Sequence, residues 1–361
     1  MASAGWLWSN PWVEECQKAE ENLLNSGDWT GTQSWKAIDV PIIYNGESHY
    51  IHTITTSSLE ELDPLSCPIV LWHGFGQSAA SWWQCLPYLA RGHKSQIYAC
   101  DWLGVGLSSR PPWTSSDNPR QAEGMFVESM EEWRRTLGID KMHLVAHSLS
   151  AFFAVGYAEK YPQHIASLTL ASPAGVPPPP EIPLQERVEM LPWGPTRLAV
   201  GVGLSLWETG VTPQSAVRTA GAWVGKGLFI DSYVSRRFPP QVPSKDLFAE
   251  YMYWSFQGDV SAENALAAIL HPGAIAKEPL CDRIPGLSPD IPLSFVYGQT
   301  DWMDRKAAFQ LVDSMEGRDV NIQVLDKCGH QLYIEQPLLF TEFLLKNTTK
   351  QSNPLHNQPV K

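Results

Sequence analysis

The residues Leu144-Val-Ala-His-Ser-Leu-Ser-Ala151 run from an apolar stretch of strand length straight into a stretch with helical periodicity. A serine on such a sharp strand-to-helix turn is held in a strained backbone conformation that lifts its hydroxyl above the sheet. The turn also requires small residues two positions away on either side. Ala146 and Ser150 occupy those positions, so the usual Gly-x-Ser-x-Gly becomes Ala-x-Ser-x-Ser. The pattern predicts that Ser148 is presented as a nucleophile.

Strands and helices are predicted to alternate on both sides of this turn. Short apolar runs at 68–72, 96–101, 142–147 and 166–171 are predicted as buried strands, and the intervening stretches 80–91, 120–137 and 149–160 as helices. Such alternation predicts an α/β fold with a mostly parallel sheet flanked by helices. An antiparallel hairpin, 36–43 and 48–54, is expected at the edge of the sheet because Asn45-Gly46 favours a tight turn.

The alternation stops at Ser172, where a proline-rich stretch begins. It resumes with a predicted strand at 291–297, a helix at 304–315, a strand at 320–325 and a helix at 336–346. The interruption is too long for an unstructured loop. We therefore expect residues 1–172 and 287–346 to form one core, residues 173–286 to form an inserted helical cap, and residues 347–361 to be a disordered tail.

Two further motifs follow predicted strands. His73-Gly74-Phe75-Gly76 follows the strand at 68–72, where glycines allow the backbone to approach a substrate. The backbone amides of Phe75 and Leu149 are the predicted donors to a developing oxyanion. A tight glycine-rich turn without a catalytic role is the alternative for this motif. The second motif, Tyr297-Gly-Gln-Thr-Asp-Trp-Met-Asp304, carries an acid after a strand.

Cys328-Gly329-His330 follows the last predicted strand and completes the set. The chain order serine, aspartate, histidine is that of the α/β-hydrolase fold, which is the predicted fold. Ser148, Asp301 and His330 are the predicted catalytic triad of an acyl-transfer enzyme, with Asp304 as the alternative acid. Asp301 could instead cap the following helix, and His330 could be an ordinary loop histidine. The mechanism requires no cofactor, and no cluster of residues with metal-ligand spacing is present, so no metal is expected.

Composition narrows the classes of partner and location. The chain of 361 residues has a formal net charge of -12, which argues against nucleic acid as a partner. It has no apolar run of 18 residues, and no basic residue precedes Lys18, so a spanning helix or a targeting presequence is not expected. Six scattered cysteines without a Cys-x-x-Cys pair indicate reduced thiols. A cytoplasmic location is the expectation.

Aromatic residues leave two interpretations open. Trp6, Trp8 and Trp12 suit a membrane or lipid-droplet interface, but they equally suit packing on the surface of the domain. Arg236, Arg237 and Lys245 could meet a phosphate headgroup or form a solvated basic patch. Large apolar residues of the predicted cap could line an acyl-chain site or pack the cap's own core. They are Trp193, Leu204, Leu206, Trp207, Trp223, Phe229, Tyr251 and Trp254.

The sequence also resembles one α/β-hydrolase subfamily from Trp12 to about Phe343. The subfamily comprises fungal cardiolipin-specific deacylases, lysophosphatidic acid acyltransferases, the animal N-acylphosphatidylethanolamine lipase and the lipase co-activator of lipid droplets. The stretches that carry the resemblance are Ala19-Glu20-Glu21, His73 to Gly76, Asp101-Trp-Leu-Gly-Val-Gly-Leu-Ser-Ser-Arg-Pro111, Ser172-Pro-Ala-Gly-Val-Pro177, Asp246-Leu-Phe-Ala-Glu-Tyr251, Tyr297-Gly298 and Asp301-Trp-Met-Asp304.

The resemblance implies a lipid or other acyl-ester substrate, with phospholipid deacylation or lipolysis as the expected reaction. Its alternatives are lysophospholipid acyl transfer, esterase action on a specialised metabolite, and a non-catalytic role as a lipase co-activator. It also implies peripheral contact with a lipid droplet, the endoplasmic reticulum or a mitochondrial membrane. The subfamily's acyltransferase signature places aspartate five positions after the histidine, where this chain has Glu335 after His330. The co-activator branch replaces the nucleophile, whereas this chain keeps Ser148.

Overall fold

Ten strands lie in the part of the chain that the computed structural model describes, residues 11–30, 33–57, 66–113, 118–208 and 211–349. In chain order they are β1 (Ser34–Tyr44), β2 (Glu47–Ser57), β3 (Ile69–Trp72), β4 (Ile97–Cys100), β5 (Met142–His147), β6 (Ile165–Ala171), β7 (Leu270–His271), β8 (Ile275–Ala276), β9 (Leu293–Gly298) and β10 (Val320–Leu325). Eight of them form one sheet in the order β1-β2-β4-β3-β5-β6-β9-β10, and β7 pairs with β8. The strands from β4 to β10 of the large sheet are parallel, while β1, β2 and β4 pair antiparallel.

Fourteen α-helices lie in the same described residues. They are α1 (Pro11–Asn25), α2 (Leu86–Gly92), α3 (Pro119–Thr136), α4 (Ser150–Lys160), α5 (Leu184–Glu189), α6 (Pro195–Glu208), α7 (Pro213–Gly221), α8 (Ser232–Arg237), α9 (Lys245–Ser255), α10 (Ala265–Ile269), α11 (Leu280–Arg283), α12 (Arg305–Ser314), α13 (Leu332–Glu335) and α14 (Pro337–Thr349). A π-helix, Ala222–Asp231, joins α7 to α8. Short 3-10 helices span Ala79–Trp82, Pro162–His164, Ala262–Asn264 and Ile284–Gly286.

The apolar residues of the central strands alternate between two buried clusters. In β3, Ile69 and Leu71 belong to one cluster, while Val70 and Trp72 belong to the other. Successive side chains of a strand point to opposite faces, so this alternation shows that both faces of the sheet are covered. Helices α3 and α4 cover one face, and α1, α2 and α14 cover the other. The predicted α/β fold and its edge hairpin are therefore confirmed.

Two predicted elements differ from the structure. The helix predicted at 80–91 is instead a 3-10 helix, Ala79–Trp82, followed by α2 from Leu86. Pro87 explains the restart, because proline fits the first turn of a helix but not its interior. The tail predicted from 347 onwards is helical as far as Thr349, since the Asn347 side chain donates to the Phe343 carbonyl and accepts from Asn321. Residues 350–361 lie outside the described residues.

The insertion between β6 and β9 has two parts with different packing. Its later part is anchored in the core: Phe248 of α9 stacks on Trp83 with ring centroids 5.0 Å apart, and Ala262 to Ile284 contribute to the large cluster beneath α3 and α4. Its earlier part, residues 190–237, holds α6, α7, the π-helix and α8, and we call it the cap segment. No helix in the described residues is both long enough and apolar enough to cross a bilayer.

Candidate active site

Ser148 lies on the turn between β5 and α4, at the carboxyl edge of the parallel strands. Its φ of 55° is in the left-handed region, which non-glycine residues rarely adopt. The turn is held because the Ser148 amide donates to the Ala171 carbonyl at 2.9 Å and the Ser148 carbonyl accepts from the Ala174 amide at 3.1 Å. Such strain persists only where surrounding bonds enforce it, and it commonly marks a functional residue.

Ser150 explains how the turn accommodates serine where glycine is usual. Its side chain is buried, and its hydroxyl lies 2.9 Å from the Trp72 carbonyl and 2.8 Å from the His147 carbonyl. The hydroxyl therefore ties the start of α4 to the end of β3. A small side chain is still required here, but a hydrogen-bonding one adds a link between neighbouring strands.

The structure brings Ser148, His330 and Asp301 together. His330 Nε2 lies 3.0 Å from Ser148 Oγ, and His330 Nδ1 lies 3.0 Å from Asp301 Oδ1. A carboxylate only accepts hydrogen bonds, so Nδ1 carries the proton and Nε2 is free to accept from the serine hydroxyl. Burial raises the pKa of Asp301, but its hydrogen bonds to His330 and to the Met303 amide help to outweigh burial, and the pKa is lowered overall.

Asp304 takes a different position. It is exposed, and its side chain caps α12 by accepting from the Lys306 amide at 2.9 Å. Asp301 also accepts from the Met303 amide at 3.0 Å, which fixes the carboxylate beneath the imidazole. The helix-capping role that the sequence left open for Asp301 thus falls to Asp304.

The loop 73–76 packs against the serine turn. A Cβ atom on Gly74 would lie 2.7 Å from His147 Nδ1 and 3.1 Å from Ser148 Cβ, so only glycine allows this approach. Neither the Phe75 amide nor the Leu149 amide donates a hydrogen bond to another described residue. Two free N–H groups beside a nucleophile are what an oxyanion needs. His73 supports the loop, because its ring stacks on Trp102 with centroids 4.5 Å apart.

His147, Tyr333 and Gln77 form a buried network that sequence analysis missed. His147 Nε2 donates to the His330 carbonyl at 2.9 Å, and His147 Nδ1 lies 3.2 Å from the Tyr333 hydroxyl, which also contacts Gln77 Oε1. Burial and the neighbouring His330 ring lower the pKa of His147, so the ring is neutral and carries its proton on Nε2. The network links the serine turn, the loop 73–76 and residues 328–331, which we call the histidine loop.

Glu335 also holds the histidine loop. Its carboxylate accepts from the Gly329 amide at 3.0 Å and from the Gln331 amide at 3.3 Å, the two residues that flank His330. Arg237 of α8 lies 3.6 Å from the same carboxylate. Position 335 therefore orients the catalytic candidate and links it to the cap segment. The local sequence pattern does not indicate that Glu335 contacts the histidine loop or Arg237.

Tyr233 of the cap segment and the exposed Trp302 both lie beside the histidine loop. Tyr233 accepts from Gln331 Nε2 at 3.2 Å. The Trp302 side chain is 60% exposed, and its ring centroid lies 5.2 Å from that of His330.

Of the three N-terminal tryptophans, Trp12 is half-buried, with the Arg110 guanidinium 5.3 Å from its ring centroid. Trp6 and Trp8 lie outside the described residues, so their proposed membrane contact stays a prediction.

Comparison with known proteins gives consistent similarities. Residues 68–199 match the family model described as alpha/beta hydrolase fold. The chain is 33% identical over 301 residues to (lyso)-N-acylphosphatidylethanolamine lipase of Mus musculus, which covers 80% of each chain. It is 34% identical over 278 residues to 1-acylglycerol-3-phosphate O-acyltransferase ABHD5 of Rattus norvegicus, with 76% of this chain and 75% of that protein covered.

Solved structures share the fold at low sequence identity. The carboxylesterase CesB of Bacillus subtilis superposes with a TM-score of 0.63 and 15% identity over 93% of this chain and 98% of that one. A membrane phospholipase A described as a bacterial virulence factor has a TM-score of 0.60 and 20% identity, with 94% and 91% covered. At these identities the likeness concerns the fold alone.

Proposed function

The chain belongs to the α/β-hydrolase family, in the group with the (lyso)-N-acylphosphatidylethanolamine lipase and ABHD5, and from that premise we propose that it is a serine hydrolase of lipid acyl esters. The observation that carries the proposal is the hydrogen-bonded chain from Asp301 through His330 to Ser148, with 3.0 Å at each link. Nucleophile, base and orienting acid stand in the order that acyl transfer requires.

The reaction would begin with attack of Ser148 Oγ on the ester carbonyl. His330 Nε2 takes the serine proton as the new C–O bond forms, and Asp301 stabilises the imidazolium that results. The proton then passes to the leaving alcohol as the original ester bond breaks, which leaves an acyl-serine. Water, deprotonated by His330, attacks the acyl carbonyl. The proton then passes from His330 to Ser148 Oγ as the acyl-serine bond breaks and the fatty acid is released.

The amides of Phe75 and Leu149 would hold the negative oxygen of each tetrahedral intermediate. Because both N–H groups lack partners in the described residues, they can donate without first breaking a bond. One such donor contributes about 3–4 kcal/mol to the transition state. The close approach at Gly74 keeps the loop and the serine turn at a fixed separation.

A lipid substrate is supported by the names of the relatives and by an exposed aromatic ring beside His330. By its name, one relative is a lipase of (lyso)-N-acylphosphatidylethanolamine, and the other is an acyltransferase of 1-acylglycerol-3-phosphate. Trp302 offers an exposed aromatic surface beside His330. We propose that residues 173–286 act as the cap over this site, with Tyr233 and Arg237 as its contacts to the histidine loop.

Hydrolysis is favoured over acyl transfer by the contacts of Glu335. If the acidic residue after the histidine activated an acceptor alcohol, its carboxylate would need to face the substrate. Here it is buried and engaged by the Gly329 and Gln331 amides. Transfer to an alcohol in place of water uses the same acyl-serine and remains the second candidate. A purely co-activating role would not need the aligned Ser148 and His330.

The test is to treat the purified protein with a fluorophosphonate probe and to assay a panel of lipids. The panel contains cardiolipin, lysophosphatidic acid, N-acylphosphatidylethanolamine and an acyl-CoA with lysophosphatidic acid as acceptor. The wild type should label and release fatty acid from at least one lipid. Ser148→Ala should lose labelling and about 10⁴-fold or more of the turnover.

Ser314→Ala at the end of α12 is the matched serine control and should behave as wild type. Acyl-CoA consumption with formation of a diacyl product would favour transfer. A wild type that neither labels nor turns over any lipid, although correctly folded, would leave the co-activator role as the better account.

A further inference from the structure

Large apolar side chains are exposed mainly in the cap segment. Of the eighteen exposed large apolar residues in the described chain, ten lie between 190 and 237. Trp193 is 85% exposed and Trp223 is 90% exposed, which is unusual for side chains that dominate protein cores. The sequence left open whether such residues pack the cap's interior. Leu204 and Tyr251 are buried, but the two tryptophans and Phe229 are exposed.

These residues occupy surface positions on regular elements. On α6, Leu198 and Val202 are four residues apart, so they lie on the same face, and both are exposed. The outer face of a surface helix normally carries charge, but α6 has no charged residue between Arg197 and Glu208. On the π-helix, Trp223, Leu228 and Phe229 are exposed. The apolar surface is therefore built into helices.

Charge distinguishes the cap segment from the rest of the chain. Residues 190–237 contain five basic residues and two acidic residues, for a formal charge of +3. The whole chain carries -12, so all other residues together carry -15. Arg218, Lys226 and Arg237 form ion pairs with acidic residues, whereas no ion pair within the described residues involves Arg197 or Arg236. The Arg197 guanidinium lies 5.3 Å from the ring centroid of Trp193, so an anionic surface would attract the cap segment beside an exposed tryptophan.

We propose that the exposed apolar surface of the cap segment inserts into the interface of an anionic phospholipid membrane. Tryptophan suits this interface because its ring is buried while its N–H stays hydrated. Leu228 lies five residues before Tyr233, whose hydroxyl contacts Gln331 of the histidine loop. Docking would therefore involve the same segment that contacts the histidine loop. The docking does not depend on the proposed chemistry, so the two can fail separately.

The test measures sedimentation of the full chain with vesicles of phosphatidylcholine alone and of phosphatidylcholine with phosphatidylglycerol. The wild type and Ser148→Ala should bind equally, and more strongly to the anionic vesicles. The pair Trp193→Ser with Trp223→Ser should lower the partition coefficient by about tenfold or more, since two large apolar side chains are removed. The control pair Ile43→Ser with Leu338→Ser removes exposed apolar residues elsewhere and should bind as wild type.

A second measurement guards against misfolding of the serine pair. Brominated phosphatidylcholine should quench the tryptophan fluorescence of the wild type on docking. The pair Trp193→Phe with Trp223→Phe keeps the apolar surface, so it should still sediment with vesicles but lose most of the quenching. The tryptophan pairs and the control pair should keep the wild-type thermal midpoint and fluorophosphonate labelling.

Three outcomes would overturn the proposal. The first is a wild type that does not bind anionic vesicles, which would leave a protein partner as the occupant of this surface. The second is a control pair that loses as much binding as the cap pair. The third is binding that depends on Trp6 and Trp8 and is unaffected at Trp193 and Trp223, which would assign docking to the N-terminal tryptophans.

Discussion

The histidine loop and the cap segment are in contact, yet their side chains have opposite surroundings. Around the histidine loop, His330, Glu335 and His147 are buried, and each is hydrogen-bonded to a neighbouring loop. In the cap segment, by contrast, Trp193 and Trp223 are exposed to solvent. Hydrogen bonds between buried polar groups fix the histidine loop, whereas the cap segment exposes apolar side chains to solvent.

The difference indicates which residues serve the fold and which serve something else. Exposed apolar area contributes nothing to folding and carries a risk of aggregation, so an extensive exposed surface usually has a binding role. Buried polar groups, by contrast, are costly unless they are hydrogen-bonded, and here their bonds join three loops around Ser148. Substitutions should therefore affect catalysis and stability in one region and membrane binding in the other.

The largest effect is expected from the acid beneath His330. Asp301→Asn should lower kcat by about 10⁴-fold, because the wrong imidazole tautomer would face Ser148. Asp304→Asn should retain near-normal kcat and change stability by less than about 1 kcal/mol, because asparagine also caps helices. Steady-state kinetics on a soluble ester would measure both variants. Near-normal turnover in Asp301→Asn would refute the assignment of the acid.

The next-largest effect is a difference in unfolding free energy between substitutions in the two parts of the insertion. Phe248→Ala should lower the free energy of unfolding by about 3–5 kcal/mol, since the ring is buried against Trp83 and Phe238. Trp223→Ala should change it by less than about 0.5 kcal/mol, because the ring is almost fully exposed. Urea unfolding would compare them. Equal destabilisation would show that Trp223 is part of a packed core.

A smaller effect should follow removal of the Tyr333 hydroxyl. Tyr333→Phe removes the hydroxyl that donates to Gln77 and contacts Nδ1 of His147, so the histidine loop should lose some of its orientation. We expect kcat and the rate of fluorophosphonate labelling to fall by about tenfold with KM unchanged. Tyr297→Phe is the matched control, because its buried hydroxyl has no partner in the described residues. A rise in KM alone would contradict a positioning role.

The smallest effect concerns pH and lies far from the site. His52 Nε2 lies 2.9 Å from Glu20 of α1, and His52 Nδ1 lies 2.8 Å from Asp39 of β1. Burial lowers the pKa of His52, but the charge of Glu20 and both hydrogen bonds outweigh it, and the pKa rises well above 6.5. Both ring nitrogens donate to carboxylates, so the ring is charged.

A pKa raised by folding gives stability that is complete below the unfolded pKa and is lost as pH rises through the folded pKa. Wild type should exceed His52→Gln in unfolding free energy by about 1 kcal/mol at neutral pH. The difference should shrink as the pH becomes alkaline. A difference that is constant across this range, measured by urea unfolding, would show that His52 is neutral in the folded protein.

The strand bounds 142–147 and 320–325 were predicted correctly because buried parallel strands form continuous apolar runs. The edge hairpin followed from its turn residues. The prediction of one helix over 80–91 is wrong because Pro87 fits the first turn of a helix but not its interior. The candidate residues Ser148, Asp301 and His330 could be named because each follows a strand, and parallel strands bring their carboxyl ends to one edge.

The sequence by itself determined the fold, the order of its motifs and the small set of residues that could act at the site. These depend on local periodicity and on steric demands within a few residues. Only the tertiary structure showed that Asp301 contacts His330 while Asp304 caps α12, that Glu335 and His147 are hydrogen-bonded to the histidine loop, and which aromatic residues of the insertion are buried or exposed. The physical reason is that a hydrogen bond depends on atoms meeting within about 3 Å across long sequence separations. Likewise, the identity of an aromatic residue does not show whether another element of the structure buries it or leaves it exposed to solvent.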